Sequence, residues 1–184
     1  MRINIPNILT FLRILFIPMI IYFFFSDTEY GRLFATLIFV IASITDYLDG
    51  FLARTMKQQT NFGEFLDPIA DKMLVITMLV LLITENNDIL FVIPVIIIIS
   101  REFLVIAIRQ RLAELGNDYK LRVLMISKFK TAVQMISLFL LLYKEYILSF
   151  SSYEVGVYLL QLASILTLIS FIYYVRKSWS VIIK

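Results

Sequence analysis

Asp46-Tyr-Leu-Asp49-Gly50-Phe-Leu-Ala53-Arg54, followed after eight residues by Gly63-Glu-Phe-Leu-Asp67-Pro-Ile-Ala-Asp71, sets four aspartates between two stretches that otherwise have the composition of membrane-spanning helix. Ionisable side chains in such surroundings are costly and rare, and they point to function by default. On helices, Asp46, Asp49, Gly50 and Ala53 fall at i, i+3, i+4 and i+7 and share one face. Gly63, Asp67 and Asp71 fall at i, i+4 and i+8 and form a second face, with Pro68 expected in the first turn of its helix.

Outward from this block, the 184 residues are 60% hydrophobic, with a mean hydropathy of +0.88. A small soluble domain cannot hide so much apolar surface. One spanning helix takes roughly 20 mostly apolar residues, so an all-α polytopic membrane protein follows, with one domain over residues 1–184. Apolar runs predict six spans near 7–25, 31–54, 65–84, 88–110, 127–148 and 154–176. Polar and turn residues separate them, among them Ser26-Asp27, Glu85-Asn86-Asn87-Asp88 and Gly116-Asn117-Asp118. Arg13 interrupts the first run and no small-residue cleavage site follows it, so that run is expected to be a retained first helix.

Orientation follows from Lys and Arg. With both termini cytoplasmic, the outer loops hold only Arg32 and Lys144 of the 17 basic residues. The four aspartates then sit at the cytoplasmic side of the membrane, expected to be a bacterial inner membrane. The charged connection from 109 to 126 reads either as a solvated loop or as an interfacial amphipathic stretch over the aspartates.

The chain has neither cysteine nor histidine. Disulfides, thiolate nucleophiles, Cys/His zinc sites and imidazole acid–base chemistry are excluded. Any metal ligand or base must therefore be a carboxylate, and hard oxygen donors suit Mg²⁺ or Mn²⁺, although Zn²⁺ or Ca²⁺ can occupy the same oxygens. Four carboxylates together stay ionised only if cations offset them. Two divalent ions about 4 Å apart would do so and would clamp a phosphoryl group. The small residues Gly50, Ala53, Gly63 and Ala70 would let a bulky phosphate-bearing ligand approach the backbone, and Arg54 adds a cation suited to phosphate. The plain alternative is that the acids pair with Arg54, Lys57 and Lys72 to cap helices at the interface. Small residues also serve helix packing in membranes.

The complete run from Asp46 to Asp71 resembles the defining motif of the CDP-alcohol phosphatidyltransferase family. The resemblance implies six transmembrane helices, usually a homodimer, a centre of two divalent cations, and transfer of a phosphatidyl or similar group from a CDP-linked lipid to an alcohol with release of CMP. By position it makes Asp46, Asp49, Asp67 and Asp71 the metal ligands, with Asp71 also deprotonating the acceptor hydroxyl. It places Asp49, Gly50, Ala53, Arg54, Thr60 and Gly63 at the CDP-diacylglycerol. With no histidine in the chain, a metal-bound carboxylate is the base expected from composition as well.

Looser matches extend the resemblance to the bacterial branch of the family whose acceptor is sn-glycerol 3-phosphate. They are Asn4-Ile-Pro-Asn7-Ile-Leu-Thr10-Phe-Leu-Arg13, Ser100-Arg101-Glu102-Phe103 and Lys128-Phe-Lys130-Thr131-Ala-Val-Gln134. Asn7 and Thr10, three apart, either face the nucleotide lipid or cap the first helix. An arginine at the depth of Arg101 is expected to face a polar cavity. Arg101, Arg109 and Lys130 are the candidates for the acceptor phosphate, although each is also explained as a topology or snorkelling residue. Serine, an inositol phosphate and phosphatidylglycerol remain as acceptors within the family. A cation-coupled transporter is the rival of another class, but the chain lacks the repeated halves with broken helices that such proteins show. No nucleic-acid partner is expected.

Overall fold

The structure is a computed structural model that describes the backbone of residues 5–56, 61–114, 125–147 and 150–182. Within these residues the chain forms six helices: α1 (Ile5–Phe24), α2 (Gly31–Met56), α3 (Asn61–Ile83), α4 (Ile89–Glu114), α5 (Met125–Tyr143) and α6 (Ser152–Ile182). A two-residue antiparallel pairing, β1 (Tyr146–Ile147) with β2 (Phe150–Ser151), joins α5 to α6.

Helix ends follow local chemistry. Asp88 caps α4 by accepting the Leu90 N–H at 3.2 Å, and Asn86 Oδ1 accepts the Asp88 N–H at 2.9 Å. Ser151 and Glu154 have capping-box spacing at the start of α6, where Ser151 Oγ accepts the Glu154 N–H. Several expected boundaries differ from the structure: α4 runs on to Glu114, into the charged stretch expected as a connection, and α6 runs on to Ile182, past 110 and 176 respectively. The fifth span was expected to reach 148, but α5 stops at Tyr143 because Lys144 takes a left-handed conformation (φ 58°) that ends the helix. Helix α3 starts at Asn61, so Pro68 lies inside it rather than in its first turn. Positions 63, 67 and 71 consequently share one continuous helix.

The helices α4 and α6 contain stretches long and apolar enough to cross a membrane, Ile89–Leu112 and Ser152–Trp179, with shorter apolar stretches at Ile8–Phe24 and Gly31–Thr45. Large apolar side chains also face outward on α1, α2, α4 and α6, such as Phe11, Leu37, Ile96 and Ile165. So extensive an apolar exterior calls for a nonpolar surrounding.

Inside, α1 packs on α2 and α3, α5 on α2, α3 and α6, and α4 on α3 and α6. The core is built from Ile17, Ile20, Phe39, Leu74, Met78, Phe91, Ile98, Leu138, Leu141 and Leu160, among others. Small residues set the closest approach. The α5–α6 contact is tied by Ser137 Oγ donating to the Gly156 carbonyl at 2.8 Å. A Cβ on Gly156 would lie 2.8 Å from Leu141 Cγ and 3.1 Å from the Leu141 backbone nitrogen.

At one end of the bundle, Arg32 at the start of α2 donates to Glu85, just beyond α3, and stacks over the Phe24 ring at 4.1 Å. Lys144 joins the same carboxylate at 3.2 Å. The acidic stretches of α2 and α3 occupy the opposite end. Replacing Gly156 by alanine forces α5 and α6 apart and is expected to destabilise the bundle by about 1–3 kcal/mol, measured as a lowered midpoint of thermal unfolding in detergent.

Candidate active site

The face of α2 that carries positions 46, 49, 50 and 53 continues one turn back to Ser43, and the face of α3 that carries 63, 67 and 71 continues one turn on to Val75. Ser43, Asp71 and Val75 line one cavity of about 260 Å³, closed on its other sides by Lys72 of α3, Glu102 of α4, and Thr131, Gln134 and Met135 of α5. Of the positions on these two faces whose side chains are described, Ser43, Asp71 and Val75 share one space. Asp71 is half-buried in its wall.

The cavity's far wall is charged. Glu102 is almost fully buried, and each of its oxygens is engaged. Lys72 Nζ donates to Oε2. Lys130 Nζ donates to Oε1 at 2.6 Å, and Arg101 Nη1 reaches the same oxygen at 3.0 Å. The Lys72 side chain is 30% exposed and those of Arg101 and Lys130 12% and 3%, so the cluster is wet only on the Lys72 side. Arg101 also extends to Ser170 Oγ on α6 at 3.5 Å. Ion pairs this deep persist only when each partner is met, because an unpaired charge there costs several kcal/mol.

A second, mostly apolar groove of about 340 Å³ runs between α2 and α5 along Phe39, Val40, Ile44, Ile136 and Phe139. It shares Ser43 and Met135 with the polar cavity. The cavity and the apolar groove thus lie side by side, with Ser43 and Met135 lining both.

A family model described as CDP-alcohol phosphatidyltransferase matches residues 3–176. The chain belongs to the CDP-alcohol phosphatidyltransferase family. Relatives include a protein of Wigglesworthia glossinidia brevipalpis, 39% identical over 179 residues that cover 97% of each chain. One of Haemophilus influenzae is 42% identical over 96% of this chain and 94% of its own. Another, of Pseudomonas fluorescens, is 41% identical over 96% and 90% respectively. All three carry the name CDP-diacylglycerol–glycerol-3-phosphate 3-phosphatidyltransferase.

The positions expected to act in this phosphatidyltransferase are distributed as follows. Asp46, Asp49, Gly50, Ala53 and Arg54 lie on α2 and Gly63 and Asp67 on α3, with their side chains outside the described residues. Thr60 and the connection 115–124 lie outside them altogether, and of Asn7 only the helical backbone at the start of α1 is described. Thr10 is buried on α1. Among the described residues no three acidic side chains gather as a metal site; of the four aspartates only Asp71 has a described side chain. Its place in the cavity wall and the oxygen chemistry of the carboxylates in the motif fit hard divalent cations.

Of the expected acceptor-phosphate residues, none lines the cavity. Lys130 and Arg101 lie behind Glu102, and Arg109 is exposed two turns further along α4. Among the described residues the cation that lines it is Lys72, which the sequence offered as a partner for interfacial aspartates. It donates to Glu102, 30 residues away. Ser43 is a further cavity residue that no motif singled out, whereas Thr131 and Gln134 belong to the run Lys128–Gln134 quoted above. Filling the junction of cavity and groove with Ser43→Trp is expected to cut phosphatidyl transfer at least tenfold while the variant still elutes as a folded species in size-exclusion chromatography.

Proposed function

We propose that this chain moves the phosphatidyl group of CDP-diacylglycerol to sn-glycerol 3-phosphate, giving phosphatidylglycerophosphate and CMP in phospholipid synthesis. The observation that carries the reading is Asp71 in the wall of a chamber that has a cation at one side and an apolar channel at another. That combination suits a nucleotide lipid and a small phosphorylated alcohol. The names and near-complete overlap of the relatives support the same pair of substrates.

In this reading the acyl chains of CDP-diacylglycerol lie toward the groove of Phe39, Ile44 and Phe139, and its diphosphate lies over the acidic faces. Gly50, Ala53 and Gly63 keep those faces low, Arg54 and Thr60 contact the cytidine diphosphate, and Asn7 and Thr10 complete its surroundings from α1. Asp46, Asp49, Asp67 and Asp71 would hold two divalent cations, Mg²⁺ or Mn²⁺, which supply charge neutralisation at the phosphoryl oxygens when bound. The Asp71 carboxylate takes the proton of the acceptor's primary hydroxyl. The hydroxyl oxygen forms a bond to the phosphorus that carries diacylglycerol, the bond from that phosphorus to the CMP oxygen breaks, and CMP leaves with the electron pair. Positioning of the two substrates in one small space accounts for a large share of the acceleration. Lys72 faces the acceptor phosphate, with Lys130 and Arg101 adding positive potential from behind, and Arg109 is at most a surface attractor for the anion.

The same reading makes residues 1–184 one functional unit that crosses the membrane six times with both termini cytoplasmic. It rests on the Lys and Arg distribution, the six helices of about 19 residues or more, and the apolar exterior. The homodimer implied by the family resemblance belongs to it as well.

Purified protein given CDP-diacylglycerol and Mg²⁺ or Mn²⁺ is expected to release CMP with sn-glycerol 3-phosphate and far more slowly with serine, inositol phosphate or phosphatidylglycerol. Release with one of the other acceptors in preference would contradict the acceptor assignment. Asp71→Asn is expected to lower turnover at least a thousandfold without altering the unfolding midpoint by more than a few degrees. Chelation of divalent ions with EDTA is expected to abolish CMP release, and excess Mg²⁺ or Mn²⁺ to restore it.

A further inference from the structure

Three cations converge on a single buried carboxylate, and only one of them reaches the cavity. Lys72 of α3, Arg101 of α4 and Lys130 of α5 all donate to Glu102, with Lys72 on one oxygen and the other two on the second. Without an anion between them these groups would repel one another, and Lys130, sealed from water, would have no partner of opposite sign among those the structure gives it. Counted over these four side chains, three positive charges meet one negative, and Asp71 in the same cavity wall adds a further carboxyl group. A phosphate monoester near neutral pH carries close to two negative charges. The cluster and the phosphate of the acceptor are complementary in charge as well as in place.

We propose that Glu102 is a positioning residue for the acceptor. It gathers Lys72, Lys130 and Arg101 into one preorganised positive wall and turns the Lys72 ammonium toward the acceptor phosphate, which selects a phosphorylated alcohol over a neutral one. The proposal rests on the reading that sn-glycerol 3-phosphate is the acceptor. Glu102 touches no reacting atom in this account and acts through the lysines. A purely structural carboxylate would behave differently: its loss would lower the folded fraction and so depress all rates together. Loss of a positioning group moves one Michaelis constant selectively.

The test is steady-state kinetics of Glu102→Gln, Glu102→Asp, Lys72→Met and the double variant Lys72→Met/Glu102→Gln, in mixed micelles with CDP-diacylglycerol and Mg²⁺. Glu102→Gln is expected to raise KM for sn-glycerol 3-phosphate at least tenfold, with kcat and KM for CDP-diacylglycerol changed less than threefold. Glu102→Asp keeps the charge but cannot span all three cations, and is expected to raise the same KM about threefold. Because Glu102 acts through Lys72, the double variant should be no more than about twofold worse than the weaker-binding single variant.

A folded Glu102→Gln enzyme with an unchanged acceptor KM would overturn the proposal, as would single effects that multiply in the double variant. Should Glu102→Gln fail to fold, Glu102→Asp decides: a raised acceptor KM supports the proposal, and a wild-type value overturns it. Failure of the wild-type chain to use sn-glycerol 3-phosphate is a separate result, which would bring down the acceptor assignment and this proposal with it.

Discussion

A charge taken into an apolar bundle must be met by an opposite charge, and among the described residues Glu102 is the carboxylate met by three cations. Its two oxygens draw together side chains from α3, α4 and α5, and through Arg101 and Ser170 the network reaches α6. The energetic value of such a cluster is not large in itself, since desolvation of each ion offsets much of the attraction. Its consequence is geometric. Helices that must satisfy one carboxylate from three directions have little freedom in register, and the space left beside it becomes a fixed cavity rather than a collapsed seam.

The acidic motif supplies the other side of that cavity. Helices α2 and α3 run continuously through the motif positions, and Ser43, Asp71 and Val75, on the same helical faces as those positions, line the chamber. The polar chamber and the apolar groove meet at Ser43 and Met135. One molecule can then be held with its charged end and its hydrocarbon end in different surroundings. A family whose substrates are nucleotide-linked lipids needs such a boundary.

Much of this was legible from residue order. Six helices follow from apolar runs of spanning length, and their ends from Asp88, Ser151 and the polar breaks. The aspartate faces follow from i, i+3 and i+4 spacing, because helical periodicity is local. The end of α5 was less legible, since a left-handed Lys144 stops a helix that hydropathy alone would continue. The charge cluster could not be read at all from spacing. Lys72, Glu102 and Lys130 lie 30 and 28 residues apart, and only tertiary packing brings them together. Arg101 drew notice as a cation buried in an apolar run, whereas its neighbour Glu102 proved to be the centre of the arrangement.

The central claim is that donor lipid and phosphorylated acceptor meet in the one chamber between the acidic faces and the Glu102 wall. The chain contains no cysteine, so Thr131→Cys places the chain's single thiol at an accessible position of the chamber wall. Its rate of reaction with a small methanethiosulfonate reagent should fall at least fivefold when either CDP-diacylglycerol with Mg²⁺ or sn-glycerol 3-phosphate is present. A rate unchanged by either substrate would contradict a shared chamber.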